Sequence, residues 1–212
     1  MRQLIKSILF IYLMTFISQV SYSQVIIGLK TGANLSNVKF KDYLFAGVEQ
    51  NPKLSFNAGL LAHIGIKDKI LVRPELLYSM KGWQSREYQT NSSGRVNLHY
   101  INIPLLVGYK PIEKLTILLG PEFGLLRSAI LKTQGLIFKT TDQYNKIDIG
   151  VDLGAAYNLS PKFGVELRYN YGFTAVSKEI PLTDENGNPF TMAKDGRNRV
   201  LQVGVFYLLN GK

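Results

Sequence analysis

The chain has 212 residues and a mass of 23.8 kDa, with 46% hydrophobic, 11% aromatic and 19% charged residues and a formal charge of +10. That apolar content excludes a disordered chain, and a mean hydropathy of +0.02 excludes a bundle of transmembrane helices. Cysteine is absent, which removes disulfide scaffolds, thiolate metal sites, cysteine nucleophiles and a lipid-modified N-terminal cysteine.

Residues 1–23 read as an export signal. Arg2 and Lys6 supply the positive start, residues 7–20 an uncharged apolar stretch, and Ser21 and Ser23 the small residues a signal peptidase inspects. The stretch is too short to cross a bilayer as a helix, which takes about 20 residues, and it contains Thr15, Ser18 and Gln19. Cleavage is expected between Ser23 and Gln24, leaving residues 24–212 as the domain with a formal charge of +8.

From Val25 onward the dominant signal is alternation with period two, the mark of strands whose successive side chains face opposite ways. Val25, Ile27 and Leu29 alternate with Ile26, Gly28 and Lys30; Phe56, Leu60 and Ile64 with Asn57, Leu61 and His63. The device recurs around Val72 and Leu76, Ile103 and Leu105, Ile117 and Leu119, Ile149 and Leu153, Val165 and Leu167, and Val203 and Val205. These make eight candidate strands of about 9–13 residues, against the roughly 9–11 that a tilted membrane-crossing strand needs. Three connections are tight, at Lys67-Asp-Lys69, Pro111-Ile-Glu-Lys114 and Ser160-Pro-Lys162. They alternate with four long polar connections at 36–53, 84–96, 127–145 and 174–198. Short turns at one end and long loops at the other predict an all-β protein, an eight-stranded antiparallel up-and-down transmembrane β-barrel with periplasmic turns and outer loops.

Charge decides which face meets lipid. Arg73, Glu75, Glu122, Asp148, Asp152, Glu166 and Arg168 share one parity, with Lys30, Lys81 and His63 beside them. A Lys or Arg facing lipid at the midplane costs about 2–4 kcal/mol, so this parity is expected to point into the barrel. Aromatics on the other parity gather near strand ends: Tyr78, Phe123, Tyr171 and Phe173 at one, Tyr109, Tyr157, Phe163 and Tyr207 at the other. They are expected to form the two interfacial belts.

Several segments, in order, carry a family resemblance: Gly28-Leu-Lys-Thr-Gly-Ala-Asn-Leu-Ser36, Pro74-Glu-Leu-Leu-Tyr-Ser-Met-Lys-Gly82, Tyr100-Ile-Asn-Ile-Pro-Leu105, Gly120-Pro-Glu122, Asp148-Ile-Gly-Val-Asp-Leu-Gly154 and Leu201-Gln-Val-Gly204. The chain resembles the PorT-like outer-membrane β-barrel proteins of Bacteroidetes-type Gram-negative bacteria. The resemblance implies a small outer-membrane barrel with no catalytic set, and admits an accessory role in type IX secretion.

An eight-stranded barrel has room inside for side chains but not for an aqueous channel. Lys30, Arg73, Lys81 and Arg168 against Glu75, Glu122, Asp148, Asp152 and Glu166 therefore read first as a packed, paired plug. His63, mid-strand and facing Arg73 if Ile66 pairs with Ile70, reads as a hydrogen-bonding residue. Asp148 and Asp152 stand about 13 Å apart along one strand and cannot share a proton. Asp184-Glu-Asn-Gly-Asn188 lacks the glycine and bidentate glutamate of a calcium loop. No catalytic, cofactor or metal site is expected, and the protein is read as a non-enzymatic outer-membrane barrel serving envelope structure, surface interaction or the secretion machinery. Lys39, Lys41, Lys53, Arg86, Arg95, Arg127, Lys132 and Lys139 spread a basic excess over the outer loops, either to hold anionic lipopolysaccharide or simply for solvation. The expected partners are outer-membrane lipid and the barrel-assembly machinery, with no nucleic acid. A small channel, an outer-membrane hydrolase or acyltransferase, and a soluble lipocalin-like carrier with its faces inverted are the rival readings.

Overall fold

In a computed structural model the described residues are 25–39, 48–87, 93–178, 180–183, 189–192 and 196–209. The signal segment with its Ser23–Gln24 junction, Lys41 and the 184–188 turn lie outside them. The strands are β1 (Val25–Lys39), β2 (Val48–Lys67), β3 (Ile70–Glu87), β4 (Ser93–Ile112), β5 (Leu115–Thr133), β6 (Leu136–Lys139), β7 (Ile147–Asn158), β8 (Phe163–Gly172), β9 (Ile180–Thr183), β10 (Pro189–Met192) and β11 (Arg197–Leu208). Eight of them run β4-β3-β2-β1-β11-β8-β7-β5, each antiparallel to its neighbour, and pairing of β4 with β5 closes the ring. The closure leaves the barrel without a free edge. Strand β6 extends β5 as a hairpin, and β9 and β10 pair only with each other.

The faces fall as the charges require. Leu119 is 54% exposed while Leu118 beside it is fully buried; Val203 is 56% exposed and Gln202 2%. The outward row of Val, Leu, Ile, Phe and Tyr runs round the ring, while Arg73, Glu75, Lys81, Glu122, Asp152, Glu166 and Arg168 are all buried inside. Outward aromatics meet at strand ends: Phe163 lies opposite Tyr207 near the tight turns, and Phe56 packs on Tyr78 at 5.6 Å near the other end. Among the described residues no helix is long and apolar enough to cross a membrane. The crossing is made by strands.

Two expectations need correction. The described residues of the connections 36–53 and 84–96 are strand: β1 to β5 hold 15 to 20 residues each, against 10 to 12 in β7, β8 and β11. Polar residues there alternate no hydrophobic face, so the sequence period vanishes although the backbone ladder continues. The pairing of β3 with β4 reaches Arg86 opposite Ser93, and that of β4 with β5 reaches Gly94 opposite Thr133. One side of the barrel therefore rises as a wall. The β5–β6 turn at its tip has Gln134 at φ 48° and Gly135 at φ 79°, the left-handed pair a two-residue hairpin of this twist needs.

The second correction concerns the first tight turn. Lys67, not Ile66, lies opposite Ile70, with a bulge between Gly65 and Lys67. Beyond it Ile64 pairs with Val72 and Leu61 with Glu75, the register that sets His63 across from Arg73.

Candidate functional site

The lumen is filled in three layers. At the turn end Leu61, Leu106, Leu118, Ala156, Phe206 and Leu208 pack as an apolar floor. At the loop end Trp83, Val96, Leu98, Tyr100, Leu126 and Tyr144, with Val176, form an apolar lid, and Tyr144 meets Trp83 edge-on at 6.2 Å. Loop residues complete that lid: Tyr144 bridges to Ser177, and Asn145 Nδ2 donates to the Ala175 carbonyl at 2.9 Å. These inward apolar residues alternate with outward apolar ones, so a reading keyed to charge parity passes over them. Between floor and lid lies a sealed polar layer.

Its lower half is a cluster around Glu75 and Glu166. Arg168 donates from Nη1 and Nη2 to both oxygens of Glu75 at 3.0 and 2.7 Å, and from Nη1 to Asp152 at 3.1 Å. Its Nη2 also lies 2.7 Å from Glu166 Oε1. Lys30 donates to Glu166 at 2.5 Å and to Glu75 at 3.4 Å. Arg73 is ion-paired with Glu75 and Glu166 at 2.8 and 2.6 Å and stands over the Phe206 ring at 5.2 Å. Three cations and three carboxylates balance. Buried charge is tolerable under that condition, since desolvation costs several kcal/mol per ion.

The upper half centres on Lys81. It donates to Glu122 at 2.9 Å and Asp148 at 3.1 Å, with the Tyr100 ring 5.2 Å from its nitrogen. Asn198 and Thr174 donate to Asp148 at 2.8 and 3.0 Å. Asn170 joins the halves, donating to Glu122 at 3.1 Å and Asp152 at 2.7 Å. Nine of the ten lumen residues singled out by parity thus meet in one network, while His63 stays apart, edge-on to Phe206 at 6.1 Å. The amides of Asn34, Asn57, Asn170 and Asn198 sit on the same inward parity as the charges and are equally buried. That shared parity was the signal for them, and attention to charge alone missed it.

The arrangement leaves little for chemistry to act on. Every acid of the layer faces a cation or an amide donor, and floor and lid close it at both ends. Among the described residues no three His, Asp or Glu side chains stand close enough to hold a metal ion. His99, half-buried near the loop end, shares a 2.5 Å hydrogen bond between its Nδ1 and the Tyr78 hydroxyl.

A closed antiparallel ring, apolar toward its surroundings and ionic within, defines a transmembrane β-barrel. The chain matches the family described as "Outer membrane protein beta-barrel domain" over residues 17–178, and it belongs to that family. It is an outer-membrane β-barrel protein. Its fold is similar to that of Neisserial surface protein A (NspA), at 16% identity over 85% of this chain and 96% of that one, with a TM-score of 0.54. It is also similar to Ail, the attachment invasion locus protein of Yersinia pestis, at 16% identity over 88% and 99% of the two chains and a TM-score of 0.50. At such identities the likeness is one of fold alone. No curated protein matches the sequence.

Proposed function

We propose that this protein is a sealed, non-enzymatic barrel that anchors an interaction surface outside the cell. The observation that carries the reading is the contrast between a lumen closed at both ends and a wall of paired strands extended well past the outer belt. From Tyr78 in that belt to Ser85 is seven residues, about 23 Å of strand at roughly 3.3 Å per residue. A lumen filled by paired ions between two apolar layers offers a solute no open path, and a hydrolase would need a nucleophile and base open to substrate. The Pro74 to Gly82 segment favours a place among the PorT-like barrels, and a positively charged start before an apolar stretch favours export with cleavage after Ser23.

The test joins three measurements. Membrane fractions should hold a protein whose gel migration shifts on boiling and whose N-terminus, by mass spectrometry, is Gln24. A cysteine placed at Gln134 should react with a membrane-impermeant maleimide on intact cells. Planar bilayers containing the pure protein should stay silent. A soluble protein without a heat-dependent shift, an unlabelled Gln134 position or steady unitary currents would each overturn the reading.

A further inference from the structure

The projecting wall carries a cleft of about 680 Å³ between the outer ends of β3, β4 and β5. Arg86, Arg95 and Lys132 line it together with the hydroxyls of Ser85, Ser93 and Thr133, and the ladder sets Glu49 of β2 opposite Arg86, which leaves Arg95 and Lys132 as the core of the basic set. Register assembles the set: Gln84 lies opposite Arg95, and Arg95 opposite Lys132, so two cations stand side by side across a strand pair. Like charges directly opposite in a sheet are destabilising. The fold holds them together regardless.

Lys53 makes the excess sharper. It sits on β2 three residues beyond Phe56 of the outer belt, 3% exposed, and its ammonium has no hydrogen-bond partner among the described residues. Burial, and then the charges of Arg95 and Lys132, bring its pKa from an ordinary 10.5 down to about 8. A buried, unpaired ammonium next to two further cations costs the empty protein stability. Groups kept against stability are characteristic of binding sites.

We propose that this cleft binds a saccharide carrying several phosphate or sulfate groups, with Arg86, Arg95 and Lys132 meeting the anions and Lys53 adding charge from behind. The inference rests on the proposed outward wall. Three cations spaced along paired strands match clustered anions better than a single carboxylate, and the hydroxyls suit sugar oxygens. The same anionic sugar chemistry is offered by lipopolysaccharide of the surrounding leaflet and by soluble glycans. The height of the cleft above the Tyr78 belt favours the soluble source.

The test uses the full mature chain folded in a neutral detergent, with a sulfated heparin-derived hexasaccharide and inositol hexakisphosphate as probes in calorimetry. Both probes should bind, and the desulfated hexasaccharide should not. The double variant Arg95→Gln/Lys132→Gln should lose at least tenfold in affinity with its heat-dependent gel shift unchanged. Lys53→Met should lose about threefold. Affinity should drop by up to about threefold between pH 7 and pH 9.5, as Lys53 gives up its proton, and fall with added salt. Equal affinity in the double variant and the parent, or failure of both probes to bind, overturns the proposal. Purified lipopolysaccharide that leaves the hexasaccharide bound supports the soluble source; lipopolysaccharide that displaces it overturns that assignment. The Gln134 labelling described above fails independently if the wall faces inward, so loss of the site and loss of the topology remain distinct results.

Discussion

Replacing Arg168 by Met is the sharpest test of the lumen network. The guanidinium makes two hydrogen bonds to Glu75 and one to Asp152, and is ion-paired with Glu166. Without it Glu75 and Glu166 keep Lys30 and Arg73, but Asp152 retains only the Asn170 amide, and the cluster passes from balance to a net negative charge. Removing one partner of a buried ion pair costs about 3–5 kcal/mol, a large part of an ordinary stability of about 5–15 kcal/mol. At a urea slope near 2 kcal/mol per molar, the unfolding midpoint should fall by about 1.5–2.5 M. Asp152→Asn added to Arg168→Met removes the stranded charge and should recover at least about 1.5 kcal/mol, which a double-mutant cycle measures directly. Midpoints followed by tryptophan fluorescence in micelles supply the numbers. A single variant within about 1 kcal/mol of the parent, or a double variant no better than the single, would refute the paired-plug account.

Gly82→Ala should cost more than about 2 kcal/mol, because φ is +131° and the new Cβ would meet the Val96 carbonyl oxygen; Gly135→Ala, at φ 79° with open space around it, should cost about 1 kcal/mol. The same urea titration ranks the two, and an inverted order would contradict the geometry. Lys53→Met should stabilise the unliganded protein at pH 7 by about 1–3 kcal/mol. The sign follows from its lowered pKa: between about 8 and 10.5 the unfolded chain binds more protons, so parental stability should rise with pH across that window. The variant should show no such rise, and a parallel rise in both proteins would place the titrating group elsewhere. Lys81→Met should cost about 3–5 kcal/mol, since it strands Glu122 and Asp148 together; a loss under 1 kcal/mol would show the upper half to be unpaired.

Legibility followed the strength of the alternating pattern. Strands β7, β8 and β11, where nearly every second residue is large and apolar, could be read with their facing from the sequence. The wall could not. Around Gln84, Ser85 and Arg86, or Ser93, Gly94 and Arg95, neither face is buried in lipid or core, so no hydrophobic period marks strands that the backbone ladder nevertheless continues. For the same reason the basic residues looked dispersed. Arg86, Arg95 and Lys132 come from three strands and meet only through register. Floor and lid stayed hidden for another reason: parity turns Leu118 inward with Glu122 and Phe206 inward with Gln202, but does not say that such residues from several strands gather into one layer. Only the closed ring brings them together.

That ring explains why charge is kept where apolar side chains would pack as well. In a barrel with Leu on both faces, sliding one strand by a residue exchanges one apolar row for another at little cost. In β3 the same slip would carry Arg73, Glu75 and Lys81 from the lumen to the lipid face, at about 2–4 kcal/mol for each cation near the midplane, and would break their pairs with Glu166, Arg168 and Glu122. The network therefore contributes less to net stability than its many short contacts suggest, because desolvation offsets most of their attraction. Its larger effect is on the difference between the native register and its neighbours. Five strands, β1, β3, β5, β7 and β8, are tied to one another by Lys30, Lys81 and Arg168. Displacing any one of these five leaves charges on the others unpaired, which specifies their alignment; β4, which brings Arg95 opposite Lys132, is held in register between β3 and β5 by its backbone ladders.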